Sequence, residues 1–210
     1  MRSCARFDPM HPARAAPTVP YPRILSALLA CLLAASAAAA PVRQPHSEAE
    51  LLTERSAVAP GGTLSVALRL RMDEGWHGYW KHPGDSGMAT AIEWKLPEGA
   101  AAGPIQWPAP MRLDVGPLTS YGYEREVLLL TDIATPVSAV HGAAFPVEAR
   151  ADWLVCKEIC LPATATLRIS VPVQADAAAG AETPGGLFAQ ARARLPVALP
   201  TLDASAWRNG

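Results

Sequence analysis

Leu64, Val66, Leu68 and Leu70 alternate with Ser65, Ala67, Arg69 and Arg71, the period-two pattern of a strand with one buried face. Val147, Ala149, Ala151, Trp153 and Val155 alternate in the same way, as do Ala165, Leu167, Ile169, Val171 and Val173. Val127 to Ile133 is instead a short, nearly continuous apolar run of buried-strand length. Pro60-Gly61-Gly62, Pro83-Gly84-Asp85, Pro97-Glu98-Gly99 and Gly103-Pro104 supply turn signals between these segments. No helix of ten or more residues is suggested before about residue 186. Several short strands without alternating helices predict an all-β, antiparallel β-sandwich over 46–174 rather than a parallel sheet. Residues 175–186 have the Ala/Gly-rich composition of a linker. Leu187 to Leu195 reads as a short helix, and the tail 187–210 as the start of a truncated second domain.

The first 40 residues have a different pattern. Arg2, Arg6, Arg14 and Arg23 precede a stretch without charge from 24 to 40, which ends in alanines that offer an A-x-A cleavage site. This is the layout of an export signal over 1–40. Two alternatives remain open: a retained membrane anchor, for which the run is somewhat short, and a lipobox at Leu28-Leu29-Ala30-Cys31. The chain has 210 residues, 50% hydrophobic and 18% charged, which fits one domain and excludes a long disordered chain. Its 18 basic and 19 acidic residues become 14 and 18, a net charge of −4, once the four arginines and Asp8 of the leader are set aside. That balance argues against nucleic acid as a partner. Of four cysteines, Cys4 and Cys31 lie in the leader, so only Cys156 and Cys160 reach a compartment where disulfides persist.

Cys156-Lys157-Glu158-Ile159-Cys160 lies where one alternating segment gives way to the next. Residues four apart in an extended strand are separated by about 13 Å, well beyond the 4.4–6.8 Å that a disulfide spans. The segment must therefore curl through a tight turn or one helical turn if the bond forms. A loop of about five residues stabilises by only about 2 kcal/mol in the chain-entropy model, so the bond is a poor staple and suits exchange chemistry better. Three readings stay open on spacing alone: thiol exchange, a local structural disulfide, and metal binding. Zinc needs two further ligands, and His46, His77, His82 and His141 stand in no standard spacing. Copper(I) between two thiolates fits the pair more readily. Exchange needs no cofactor; Lys157 favours a thiolate while Glu158 and Asp152 oppose it.

The segment 76–87 is dense in aromatic and turn residues, and Trp94, Trp107 and Tyr121-Gly122-Tyr123 follow it. Such side chains fill a sandwich core, bind a glycan or peptide when exposed, or shield the cysteines. His77 and His82 read as hydrogen-bonded loop residues rather than ligands.

Taken together, GWHGYWKHPGDSG (75–87), PIQWPAPMRL (104–113), YGYE (121–124) and DWLVCKEICLP (152–162) resemble the N-terminal periplasmic domain of the DsbD/ScsB-type thiol:disulfide interchange proteins. The resemblance covers roughly 46–174. It implies an immunoglobulin-like β-sandwich in the periplasm whose Cys156/Cys160 pair carries reducing equivalents without cofactor or metal. By analogy, Cys160 forms the mixed disulfide and Cys156 resolves it. Implied partners are a membrane-embedded electron donor and exported recipients: thioredoxin-like proteins, disulfide isomerases and factors of cytochrome c maturation. The family covers its disulfide with an aromatic cap, for which Trp76, Tyr79, Trp80 and Asp85 are the candidates here, followed by Tyr121 and Tyr123. Family members place more residues between their cysteines than the three found here. No membrane electron-conducting region or thioredoxin-like domain follows residue 174, so the expectation is a fragment, or a donor encoded separately.

Overall fold

The alternating segments form the longest strands of the computed structural model, which describes residues 40–175 and 186–197. The export signal expected within 1–40, most of the linker and the end of the tail, with Trp207, lie outside the described residues. In chain order the strands are β1 (Val42–Gln44), β2 (Ser47–Thr53), β3 (Thr63–Met72), β4 (His77–Gly84), β5 (Ala91–Lys95) and β6 (Ala101–Ala102). They continue with β7 (Met111–Val115), β8 (Leu118–Glu124), β9 (Glu126–Ala134), β10 (Ala144–Cys156) and β11 (Cys160–Pro172). One helix, α1 (Leu187–Ala193), follows.

The first sheet has the order β1-β2-β3-β9-β6 and the second β11-β10-β4-β8-β7, with β5 also paired to β10. All strand pairs are antiparallel. Their inner faces meet in one core, to which the alternating positions of β3, β10 and β11 contribute Leu64, Val66, Leu68, Leu70, Val147, Trp153, Val155, Leu167, Ile169 and Val171. The fold is an immunoglobulin-like antiparallel β-sandwich. Trp153 is 1% exposed, and its Nε1–H donates to Ser47 Oγ at 3.1 Å. A buried polar hydrogen bond thus joins β10 of one sheet to β2 of the other and satisfies both groups away from water.

Two of the turn signals act as their sequences suggest, whereas Pro83 and Gly84 of a third are the last residues of β4. Gly62 N–H donates to Ala59 O at 3.0 Å, and Ala100 N–H donates to Pro97 O at 3.1 Å after Gly99 with φ +78°. Such a positive φ favours glycine because it has no Cβ.

The continuous apolar run of β9 also has a physical reason. Val127, Leu129 and Ile133 face the core, while Leu128 and Leu130 face outward and are buried with Leu52 and Ala67 against Phe188 and Ala191 of α1. Both faces of β9 are therefore buried, which removes the alternation. Arg192 of α1 pairs with Glu54, its Nη2 lying 2.7 Å from Oε2. Beyond the helix the outer face of this sheet carries a cross-strand ladder: Arg69 donates to Glu126 at 2.7 Å and Arg71 to Glu48 at 3.0 Å. The second sheet has no helix on its outer face among the described residues.

Candidate functional site

β10 and β11 form a long hairpin, thirteen residues on each side, with register running from Ala144↔Pro172 to Cys156↔Cys160. The cysteines are the last pair of the ladder, joined by a disulfide with S–S 1.99 Å and Cα–Cα 4.1 Å. A tight hairpin turn, not a helical turn, supplies the curl: Lys157 N–H donates to Ile159 O at 3.1 Å across the three intervening residues. The two sulfurs differ in surroundings. Cys156 is 2% exposed because its strand is flanked by β11 on one side and by β4, at His77, on the other. Cys160 opens the edge strand and is exposed.

Cross-strand pairing extends this pair into a row. Cys160 lies opposite Cys156, Cys156 opposite His77, and His77 opposite Glu124. Paired residues in a sheet share a face, and so do residues two apart along one strand. Tyr79, two beyond His77 on β4, therefore stands on the same outer face. Its hydroxyl is 3.3 Å from His77 Nε2 and 3.8 Å from Cys160 Sγ. His77 is 6% exposed and Tyr79 3%. Burial pushes the His77 imidazole below its ordinary pKa, with Glu124 pulling in the opposite direction. Burial raises the Tyr79 phenol, with a hydrogen bond to Ser86 opposing it. At neutral pH both groups are uncharged.

The loop after β4 covers Tyr79. Asp85 and Thr119 exchange two hydrogen bonds, Asp85 N–H to Thr119 O at 3.0 Å and Thr119 N–H to Asp85 Oδ2 at 2.9 Å. Ser86 Oγ lies 3.0 Å from Ser120 Oγ, so the loop is strapped to β8 at two successive positions. Gly87, with φ +98°, then passes so close to the Tyr79 ring that an added Cβ would lie 2.1 Å from Cε1. Glycine is required there for its backbone conformation and for the close approach. Gly122 has an equally tight place on β8, where a Cβ would meet Gly78 O at 2.0 Å.

The six aromatic-cap candidates separate by strand parity. Tyr79 reaches the disulfide and Asp85 ties down the loop above it. Trp76 and Trp80 stand at the opposite parity from Tyr79 and pack against the core, Trp76 also stacking on His46 with ring centroids 4.0 Å apart. Tyr123 is a core residue whose hydroxyl donates to Pro108 O at 2.7 Å. Tyr121 is 39% exposed on β8. The residues that sequence reasoning did not assign to the site are His77, Ser86, Gly87 and Ser120. A usable signal was present for His77, which stands two positions before Tyr79 in a segment already singled out.

No tryptophan among the described residues is exposed, since Trp94 and Trp107 also pack on the core. Nor do the described residues include a group of three or more His, Cys, Asp or Glu arranged to hold a metal ion. A largely apolar cavity of about 480 Å³, lined by Phe145, Val147 and Ile169, lies at the other end of the β10–β11 hairpin, away from the cysteines.

An immunoglobulin-like sandwich with a disulfide at the exposed tip of an edge hairpin, one sulfur buried and one open, defines a thiol–disulfide interchange domain. The chain belongs to the family described as thiol:disulfide interchange protein DsbD, N-terminal, whose model matches residues 48–172. Among solved structures it is similar to the N-terminal periplasmic domain of ScsB from Proteus mirabilis, with 20% identity and a TM-score of 0.59 over 81% of this chain. The match spans 64% of that domain's length. The GAE domain of yeast GGA1 aligns at 11% identity and a TM-score of 0.35, over 64% of this chain and 99% of that one. No curated protein matches the chain significantly. Among the described residues no helix is long and apolar enough to cross a membrane.

Proposed function

We propose that this chain passes reducing equivalents, in the periplasm, through the Cys156/Cys160 dithiol to the disulfides of exported proteins. The observation that carries this reading is the asymmetry of the pair: Cys160 is exposed at the hairpin tip while Cys156 is 2% exposed beneath it. An incoming disulfide meets Cys160 first. Its thiolate attacks, a mixed disulfide forms, and Cys156, held opposite at a Cα separation of 4.1 Å, displaces the partner and regenerates the intramolecular bond. Cys160 is thus the attacking cysteine and Cys156 the resolving one. Recipients are thioredoxin-like proteins, including disulfide isomerases and cytochrome c maturation factors, and the electrons come from a membrane-embedded donor. In this reading 46–174 is the interchange domain and 1–40 the signal that exports it.

The test uses reduced protein and the disulfide of a periplasmic thioredoxin-like protein. Cys160→Ser abolishes transfer, while Cys156→Ser accumulates a covalent adduct visible by mass. Equal transfer by wild type and both variants overturns the proposal. A reduction potential for the pair well below about −300 mV would mark it as an inert structural bond instead.

A further inference from the structure

We propose that Tyr79 and His77 form a proton relay for Cys160, in which Tyr79 touches the reacting sulfur and His77 acts through it as a positioning residue that stores the proton. The inference rests on the interchange reading and adds to it the route of the proton. Two observations carry it. The three atoms Cys160 Sγ, Tyr79 Oη and His77 Nε2 lie in a continuous line of contacts, 3.8 Å and 3.3 Å long. His77 and Tyr79 are almost fully enclosed by protein, and the Gly87 loop presses on the tyrosine ring. A buried histidine that is no part of the apolar core needs another account of its position.

The relay works because the same hydrogen bonds fit both protonation states with their direction reversed. In the dithiol form Cys160 S–H donates to Tyr79 Oη, and the tyrosine O–H donates to His77 Nε2. Moving both protons one step leaves a Cys160 thiolate, an intact Tyr79 and an imidazolium, with the imidazolium now donating to Tyr79 and Tyr79 donating to the thiolate. The thiolate attacks a partner disulfide: one S–S bond forms to Cys160, the partner's own S–S bond breaks, and its second sulfur leaves as a thiolate that takes the stored proton. Cys156 then loses its proton, attacks Cys160 Sγ and releases the remaining partner sulfur, which receives that proton. Two electrons and two protons pass in all, and no further reactant is required.

The surroundings of His77 suit a group that is neutral at rest and charged in passing. Glu124 faces it from β8. A cleft of about 270 Å³ beside it is lined by Arg112 and Asp114 of β7 and by Lys157 of the hairpin turn. Cys156 faces it from β10. Arg112 is engaged by Asp114 at 2.9 Å, and Glu124 is the charge that favours an imidazolium at this position. An imidazole–thiolate pair is an established way to hold a cysteine reactive at neutral pH.

The experiment measures alkylation of Cys160 by iodoacetamide in the reduced full chain from pH 5 to 9, read by mass spectrometry, alongside electron transfer to a thioredoxin-like disulfide. In His77→Gln and in Tyr79→Phe the alkylation rate at pH 7 falls by about tenfold, and the low-pH limb of the profile disappears. The double variant is no slower than either single one. Tyr79→Phe keeps the ring packing and removes only the hydroxyl, so it remains informative if His77→Gln folds poorly. Unchanged rates and profiles overturn the relay, and so does a defect in one variant that the other does not share. If wild type shows the histidine-dependent limb yet passes no electrons to the partner, the interchange reading fails and the relay stands.

Discussion

The outer faces of the two sheets pose the same physical problem and meet it differently. On the first sheet Leu128 and Leu130 are covered by Phe188 and Ala191 of α1, and the remaining surface is filled by paired arginines and glutamates. On the second, the outer face of β4 carries His77 and Tyr79 beside the disulfide, and a loop rather than a helix covers Tyr79. Polar groups buried in this way add little net stability and cost heavily when left unpaired. Stability resides in one outer face and chemistry in the other, so mutations on the two faces have separable effects.

That contrast is breakable. Phe188→Ala uncovers the first face and is expected to cost about 3–5 kcal/mol in urea unfolding, while leaving the iodoacetamide reactivity of Cys160 unchanged. A parallel change in thiol reactivity would show that the faces are coupled. Gly87→Ala, at φ +98° and against the Tyr79 ring, is expected to cost about 1–3 kcal/mol and, by displacing the ring whose hydroxyl touches Cys160, to lower the alkylation rate of that thiol. Loss of stability without a change in reactivity would mean that the loop does not hold Tyr79 in place against the sulfur.

Acid sensitivity sharpens the same distinction. Burial lowers the pKa of folded His77, so between its folded value and about 6.5 the unfolded chain binds more protons than the folded one. Its contribution is therefore fully present above about pH 6.5 and declines as pH falls through that window. In His77→Gln this slope should vanish from unfolding midpoints measured against pH. The smallest effect is expected for Arg192→Ala, about 0–1 kcal/mol for a partly exposed pair. The Arg192 hydrogen bond holds the Glu54 carboxyl below its ordinary pKa. The contribution of this pair is present above about pH 4.3 and lost as pH falls through the folded value. A slope near pH 4.3 that persists in Arg192→Ala would place its origin elsewhere.

The strands that build the core were legible because only one of their faces is apolar. β3, β10 and β11 show the alternation over their length, and their inward residues are those the pattern selects. β4 and β8 escaped the same test. His77-Gly78-Tyr79-Trp80 buries Trp80 against the core and His77 and Tyr79 beneath the site, so neither face reads as polar. In Tyr121-Gly122-Tyr123 the glycine is small because Gly78 O lies against it, which again breaks the pattern. The residues that position the site hide the strands that carry them. For the same reason the aromatic segment offered several candidates for a cap, and only strand parity separates Tyr79 from Trp76 and Trp80.

Local sequence was sufficient for whatever depends on nearest neighbours: the period-two strands, the turns at Pro60-Gly61-Gly62 and Pro97-Glu98-Gly99, and a cysteine pair at a strand junction that must curl to close. The tertiary structure decided what depends on pairing between distant strands. It placed His77 opposite Cys156, 79 residues away in the chain, brought Tyr79 to Cys160, and left one sulfur buried and the other open. Alternation specifies which side of a strand is apolar, but the register of β4 against β10 is set by the packing of both sheets, and that register turns a cysteine pair into a site.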